Sequence, residues 1–239
     1  MKKQLVKSLQ VCAMVCAPAW ASAQNHVYNL NNSLSDLYAG PSINADGGTL
    51  GPSGYTFGAN QGLSLYNVFS AGSSYSIAIR SYFDALAGYQ KIVDFKDRTS
   101  DNGAYALGDR PNFYPAGTGG QVYANGVPAF TVLTRDASTG LFNMYVNGVQ
   151  QVSFTDVNGW GDFTSAAGVA RFFEDDYPTR QREAGSGFVD YIATYDRVLT
   201  AQEVASLTVV TATPEPASIT LLATGLLGMV GIVRRRKQR

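Results

Sequence analysis

The chain has 239 residues, and its 18 basic residues balance its 18 acidic ones. Setting aside a basic start and a basic end leaves ten basic and seventeen acidic residues in between, a surplus of about seven negative charges. That sign excludes nucleic acid as a natural partner, because such affinity comes from Lys and Arg neutralising phosphates. Both cysteines, Cys12 and Cys16, lie near the N-terminus, so a disulfide framework is excluded for the rest.

The first element is a leader. Lys2, Lys3 and Lys7 precede a mostly apolar stretch, Leu9 to Ala17, and Ala21-Ser22-Ala23 reads as a small-residue cleavage site for signal peptidase. The expected signal peptide is 1–23, with the exported chain starting at Gln24. The working part is then 24–213, roughly 190 residues, enough for one domain with a sizeable core.

From Gln24 the pattern is β. Residues 24–72 are rich in Asn, Ser, Gly and Pro, with short apolar pieces at Val27–Leu30, Tyr55–Phe57 and Leu63–Tyr66. Tyr75 to Phe83 alternates, with Tyr75, Ile77, Ile79 and Phe83 on one face and Ser76, Ala78, Arg80 and Tyr82 on the other, which predicts a half-buried strand. Tyr89 to Phe95 is a second strand, with Tyr89, Val93 and Phe95 on one side and Asp94 on the other. Short pieces follow at Tyr105–Leu107, Phe113–Tyr114 and Gln121–Tyr123, then a strand at Ala129–Arg135. Asn147-Gly148 between Leu141–Val146 and Val149–Phe154 is a strong hairpin signal, since a type I′ turn needs positive φ at both positions. Residues 160–168 read as loop. Val169–Phe173 is a short strand ending in Glu174-Asp175-Asp176, and Phe188–Tyr195 closes the sheet. Thr200-Ala-Gln-Glu203 is a capping box, so one short helix starts at Ala201. About a dozen short strands and one short helix predict an all-β fold, a two-sheet sandwich.

The last 26 residues differ. Pro214-Glu215-Pro216 is stiff and non-helical. Residues 217–233 carry no charge and, as a helix, would be about 25 Å long, at the short end of a membrane span. Arg234, Arg235, Arg236, Lys237 and Arg239 hold that end in the cytoplasm. An ordinary single-pass anchor shares the span and the basic end. With the triplet added, 214–239 resembles the PEP-CTERM sorting signal. The resemblance implies processing by an exosortase, a transient membrane anchor through the C-terminal helix, and a destination at the cell surface or outside the cell.

Between the two ends, GFVDYIATYDRVLTAQEVASL from Gly187 resembles the closing segment of laminin-G-like, concanavalin A-like jelly rolls. The stretches FNMYVNGVQQVSF, VLTRD, KIVDFKDRTSDNG and RFFEDD fit the same family. The resemblance covers nearly all of 24–208, with 209–213 a linker. It implies two curved antiparallel sheets and no particular activity, since this fold carries lectins, adhesion modules, enzymes and spacers.

Catalytic residues are hard to find in the sequence. The working part has three glutamates, Glu174, Glu183 and Glu203, and none has the spacing of a glycosidase pair. The lone histidine, His26, leaves no natural base for a serine hydrolase. For a metal, Glu174, Asp175 and Asp176 form one acidic group, which needs water or a bridging cation to relieve repulsion. Asp94, Asp97 and Asp101 around a turn form another, and one structural calcium ion is expected at either. For a sugar, the rings of Trp160, Tyr177, Tyr105 and Tyr114 sit in or beside loops. Asp190, on the face of Phe188 and Ile192, is expected to pair with Arg171 or Arg197. These residues describe a non-catalytic binding or adhesion module for extracellular polysaccharide or surface protein. The alternatives are a structural matrix protein without a small ligand, and a divergent glycan hydrolase or lyase.

Overall fold

The computed structural model describes residues 26–163 and 168–210. The expected signal peptide, with Ala21 and Ala23, and the sorting segment, with Pro214, Glu215, Pro216 and the span 217–233, lie outside the described residues. Among the described residues no helix is long and apolar enough to cross a membrane.

Fifteen strands and one helix are formed by the described residues. The strands are β1 (His26–Tyr28), β2 (Asn44–Ala45), β3 (Thr49–Gly51), β4 (Gly54–Phe57), β5 (Leu63–Leu65), β6 (Tyr75–Phe83), β7 (Tyr89–Asp94) and β8 (Gly103–Leu107). They continue with β9 (Arg110–Tyr114), β10 (Gly117–Thr118), β11 (Ala129–Arg135), β12 (Leu141–Val146), β13 (Val149–Thr155), β14 (Ala170–Phe172) and β15 (Gly187–Tyr195). The helix is α1 (Ala201–Val210). They form two antiparallel sheets. One runs β13-β12-β11-β6-β15-β4-β3 with β1 also on β15, and the other runs β10-β9-β8-β7-β14-β5-β2. Gln121–Tyr123, expected as a strand, is instead held by Val122 N–H and Tyr123 N–H donating to Asp109 O.

Apolar side chains of both inner faces fill the space between the sheets, as in a sandwich core. Phe57 stacks on Phe173 and Phe69 on Phe163, each pair with centroids 4.2 Å apart. Each fully buried Phe or Leu contributes about 1.5–3 kcal/mol of hydrophobic stabilisation, which is how a body without disulfides is held together. The hairpin at Asn147-Gly148 forms with positive φ at both residues, 50° and 81°.

The β6 strand has the expected bounds but is not half-buried. Its second face lies in a smaller core, where Ala78 packs with Phe130, Val132, Tyr195, Leu199 and Val204. Helix α1 supplies Val204, so it covers the outer face of the first sheet. The capping box sets its start: Glu203 N–H donates to Thr200 Oγ1 (3.2 Å) and Thr200 N–H donates to Glu203 Oε2 (2.8 Å). Arg197 adds a two-pronged contact to the Glu203 carboxylate at 2.7 and 3.0 Å.

Two β-bulges change which face residues occupy. The register shifts between Val189 and Tyr191 on β15 and between Lys91 and Val93 on β7. A bulge inserts one residue and so inverts the alternation beyond it. Ile192 therefore faces the main core, while Phe188 stacks on Tyr82 and Asp190 meets Arg80 (3.4 Å) on the opposite face. The partners expected for Asp190 are engaged elsewhere, Arg197 with Glu203 and Arg171 with Asp97. On β7 the bulge turns Tyr89 and Lys91 outward, while Val93 keeps to the core.

Candidate functional site

The outer face of the second sheet carries a charged centre beneath a tyrosine row. Lys91 is the key side chain. At the start of β8, Gly103 has no side chain, and a Cβ there would lie 2.7 Å from Val93 O and 3.4 Å from Lys91 Nζ. The segment after β14 then folds over the lysine. Lys91 N–H donates to Glu183 O (2.8 Å), which ties the segment to β7. Thr179 Oγ1–H and Glu183 N–H both donate to Asp175 Oδ2, at 2.6 and 2.8 Å.

Lys91 Nζ lies 2.9 Å from Asp176 Oδ2, 3.7 Å from Asp94 Oδ2 and 3.8 Å from Asp175 Oδ1, and all four side chains are fully buried. The Tyr105 ring lies against the ammonium, its centroid 4.2 Å away. The cation that relieves the acidic run is thus the chain's own lysine. Glu174-Asp175-Asp176 is not a solvated strand end. The two acidic groups read separately in the sequence merge here, since Asp94 joins Asp175 and Asp176.

Beside this centre lies a second one. Arg171 Nε donates to Asp97 Oδ1 (2.8 Å), and its Nη1 is 3.5 Å from Glu174 Oε2 and 3.6 Å from Asp46 Oδ2. Arg98 donates to Glu174 Oε2 (3.1 Å) and lies over the ring of Tyr177. Glu174 Oε1 and Asp46 Oδ2 have no donor among the described residues. Burial first, and then the neighbouring Asp46 carboxyl, push Glu174 up to about 8. It holds a proton at neutral pH, which one carboxyl can donate to the other.

At the edge of the Lys91 centre the half-buried Asp101 and Glu183 meet the fully buried Asp176, and their carboxylate oxygens lie within 4.8 Å of one another. Burial raises Glu183 to about 7, helped by Asp101 and Asp175. Asp101 is raised by burial and by Asp176. Burial also pushes Asp176 upward, but hydrogen bonds from Thr179 and Lys91 outweigh it and hold that carboxyl below its usual range. Three oxygen donors at this spacing suit a hard cation such as calcium, which takes carboxylate ligands in irregular geometry.

Tyr89 links the carboxylates to the aromatic row. Its ring meets Tyr105 edge-on at 5.4 Å and Tyr114 at 5.9 Å. Burial raises its hydroxyl pKa, as do the charges of Glu183 and Asp101. Tyr114 is 38% exposed. An exposed tyrosine ring can stack its face on a sugar, while carboxylates beside it accept from the sugar's hydroxyls.

The other expected residues are distributed as follows. Tyr105 is fully buried within β8 and serves as a wall for Lys91, not as a ligand-facing ring. Trp160 is half-buried against Phe154 (6.3 Å), and its backbone N–H donates to Asp156 Oδ1 (2.7 Å), so it belongs to the core rim. Tyr177 is 59% exposed. Asp97 and Asp101 diverge, one to Arg171 and the other to Glu183, so the loop 97–101 does not close around one ion. Lys91, Tyr89, Asp46 and Glu183 were not singled out by sequence. Lys91 and Tyr89 could have been paired by their spacing of two on one strand, but Glu183 reaches the site only through the path of its loop.

Solved structures resemble this fold. Domain 4 of a GH43 extracellular arabinanase from Geobacillus stearothermophilus, in complex with arabinotriose, is 18% identical with a TM-score of 0.57, covering 77% of this chain and 98% of that one. Trypanosoma rangeli sialidase is 16% identical with a TM-score of 0.58, covering 77% of this chain but only 32% of its own. The binding domain of botulinum neurotoxin DC, in complex with rat synaptotagmin II, is 14% identical with a TM-score of 0.56, covering 79% and 51%. At these identities the likeness establishes the β-sandwich jelly roll and nothing about activity. No curated protein matches the sequence. A family model, the PEP-CTERM protein-sorting motif, matches residues 212–237. The chain is therefore a jelly-roll β-sandwich that carries a PEP-CTERM sorting motif, the mark of an exported, exosortase-processed surface protein.

Proposed function

We propose that the body is a non-catalytic binding module of the cell surface or extracellular matrix, and that it recognises polysaccharide through the outer face of its second sheet. The observation that carries this is the row Tyr89–Tyr114 standing beside Asp101, Asp176 and Glu183. One calcium ion held by Asp101 and Glu183, with the buried Asp176 carboxylate behind them, is part of the reading. It would neutralise their mutual repulsion and offer open coordination positions to sugar hydroxyls. The negative working part and the sorting motif both fit an extracellular role.

Glycan hydrolysis is the second reading. It is favoured by the closeness of Asp176 and Glu183, whose protonation ranges are pushed apart as an acid and its partner require. Against it, Asp176 is fully buried and both its oxygens are occupied, one by Lys91 and Tyr105 and the other by Thr179. A carboxylate in that state cannot reach an anomeric carbon.

The test is a glycan panel probed with the full-length protein, with calcium and with chelator, while released sugar is assayed. Saturable binding without released sugar supports the module. Released sugar selects hydrolysis. Association with matrix and no glycan binding would mean a structural protein.

A further inference from the structure

A second, chemically different site lies at one end of the sandwich. There β6 begins and β15 ends, and a cavity of about 180 Å³ opens between these strand ends and the loop 68–74. Its walls include Phe69, Ser73, Ser74, Tyr75, Thr194 and Asp196. No residue of the tyrosine and carboxylate face takes part.

The cavity is too large to be explained by a single water, which needs only about 10–15 Å³. It is smaller than the roughly 300 Å³ at which pockets for drug-sized ligands begin. One sugar ring is the appropriate size class.

Its lining is specific. Thr194 lies two residues after Ile192 on β15 and so faces inward, toward the space between the sheets. It is 1% exposed, yet its Oγ1 has no hydrogen-bond partner among the described residues. A buried hydroxyl left unpaired is unfavourable, and rotation of the Thr194 side chain toward the cavity would let a ligand complete it. Ser74 Oγ accepts from Ala137 N–H (2.9 Å), which leaves the serine proton free to donate. The Asp196 carboxylate is exposed and can accept. Phe69 and the ring of Tyr75 form the apolar wall, and the Tyr75 hydroxyl already donates to Gly161 O. Among the described residues no lysine or arginine lines the cavity. With a carboxylate at the mouth and no cation inside, an anionic ligand is disfavoured. Mixed donors and acceptors beside an apolar wall are complementary to a ring that has hydroxyls at its edge and C–H groups on its face.

We propose that this cavity binds one unit of a neutral sugar, independently of calcium and of the tyrosine face. The proposal goes beyond the function argued above, because the two sites share no residue.

The test titrates full-length protein with D-glucose, D-galactose, D-mannose and L-arabinose, using saturation-transfer NMR, with D-glucuronate as the anionic control. At least one neutral sugar should bind with chelator present, and D-glucuronate should not compete. Thr194→Val removes the hydroxyl at constant shape, and Ser74→Ala removes the rim donor. The double variant should bind at least ten-fold more weakly with an unchanged melting curve. If melting does change, Ser74→Ala alone, at a half-exposed position, decides by the same loss. Tyr89→Ala/Tyr114→Ala should leave this binding intact. Absence of binding by every neutral sugar would overturn the proposal, as would binding that survives the cavity variants or disappears with the tyrosine variants.

Discussion

Lys91 Nζ and Asp176 Oδ2 stand 2.9 Å apart with neither side chain in contact with solvent. One ammonium thus faces three buried carboxylates, Asp94, Asp175 and Asp176. Taking charges out of water is costly, and the mutual attraction offsets this only while every member is present. Lys91→Met should therefore destabilise the body by about 3–5 kcal/mol, the usual result of stranding a buried charge. Urea unfolding followed by tryptophan fluorescence measures it. A loss under about 1 kcal/mol would mean that the carboxylates are not ionised in the fold.

Stability should fall as pH rises from about 5 to about 8. Glu174 at about 8 and Glu183 at about 7 hold protons in the fold that the unfolded chain has already released above its ordinary glutamate range. Where the folded state binds more protons, stability decreases with pH. On the acid side the sign reverses. Glu203, lowered to about 2 by Arg197, stabilises the fold above its unfolded value, and this is lost as pH falls toward 2. Asp176, held low by Thr179 and Lys91, acts in the same direction. Glu174→Gln should flatten the alkaline slope. Melting temperature measured against pH checks both limbs, and a rise between pH 5 and 8 would contradict the assignment.

Calcium should raise the melting temperature by mass action on the folded state. The effect should be larger at pH 8 than at pH 6, because protons compete for Glu183 near 7. Glu183→Gln should abolish the calcium response while changing the metal-free melting point little. Identical curves with calcium and with chelator would remove the ion from the account.

Helix α1 should depend on its cap. Thr200→Ala should cost about 1 kcal/mol. Glu203→Ala should cost more, because Arg197 loses both of its contacts as well. Denaturant midpoints compare the two, and equal losses would mean that the Arg197 pair contributes nothing.

What could be read from the sequence was local. Asn147-Gly148 fixes its hairpin by φ alone, Thr200 and Glu203 fix a helix start over four residues, and the alternation of Tyr75–Phe83 marks a strand, though not that its second face is also covered. Long-range features were not legible. The bulges at Lys91/Val93 and Val189/Tyr191 invert the face pattern without any distinct residue type. Nothing near Glu174-Asp175-Asp176 announces that Lys91, some eighty residues earlier, is their counter-ion. The site was therefore half visible: the acidic residues stood out as a group, while the lysine, Glu183 and Tyr89 that give the group its character did not.

We propose that glycan binds on the face where Tyr89 and Tyr114 meet the carboxylates. Calorimetric titration of the full-length protein with the best ligand from the panel, beside Tyr89→Ala/Tyr114→Ala, tests it most directly. The account predicts saturable binding that the double variant loses by at least ten-fold while melting as before. Binding of equal strength in the double variant, or none in either protein, would contradict it.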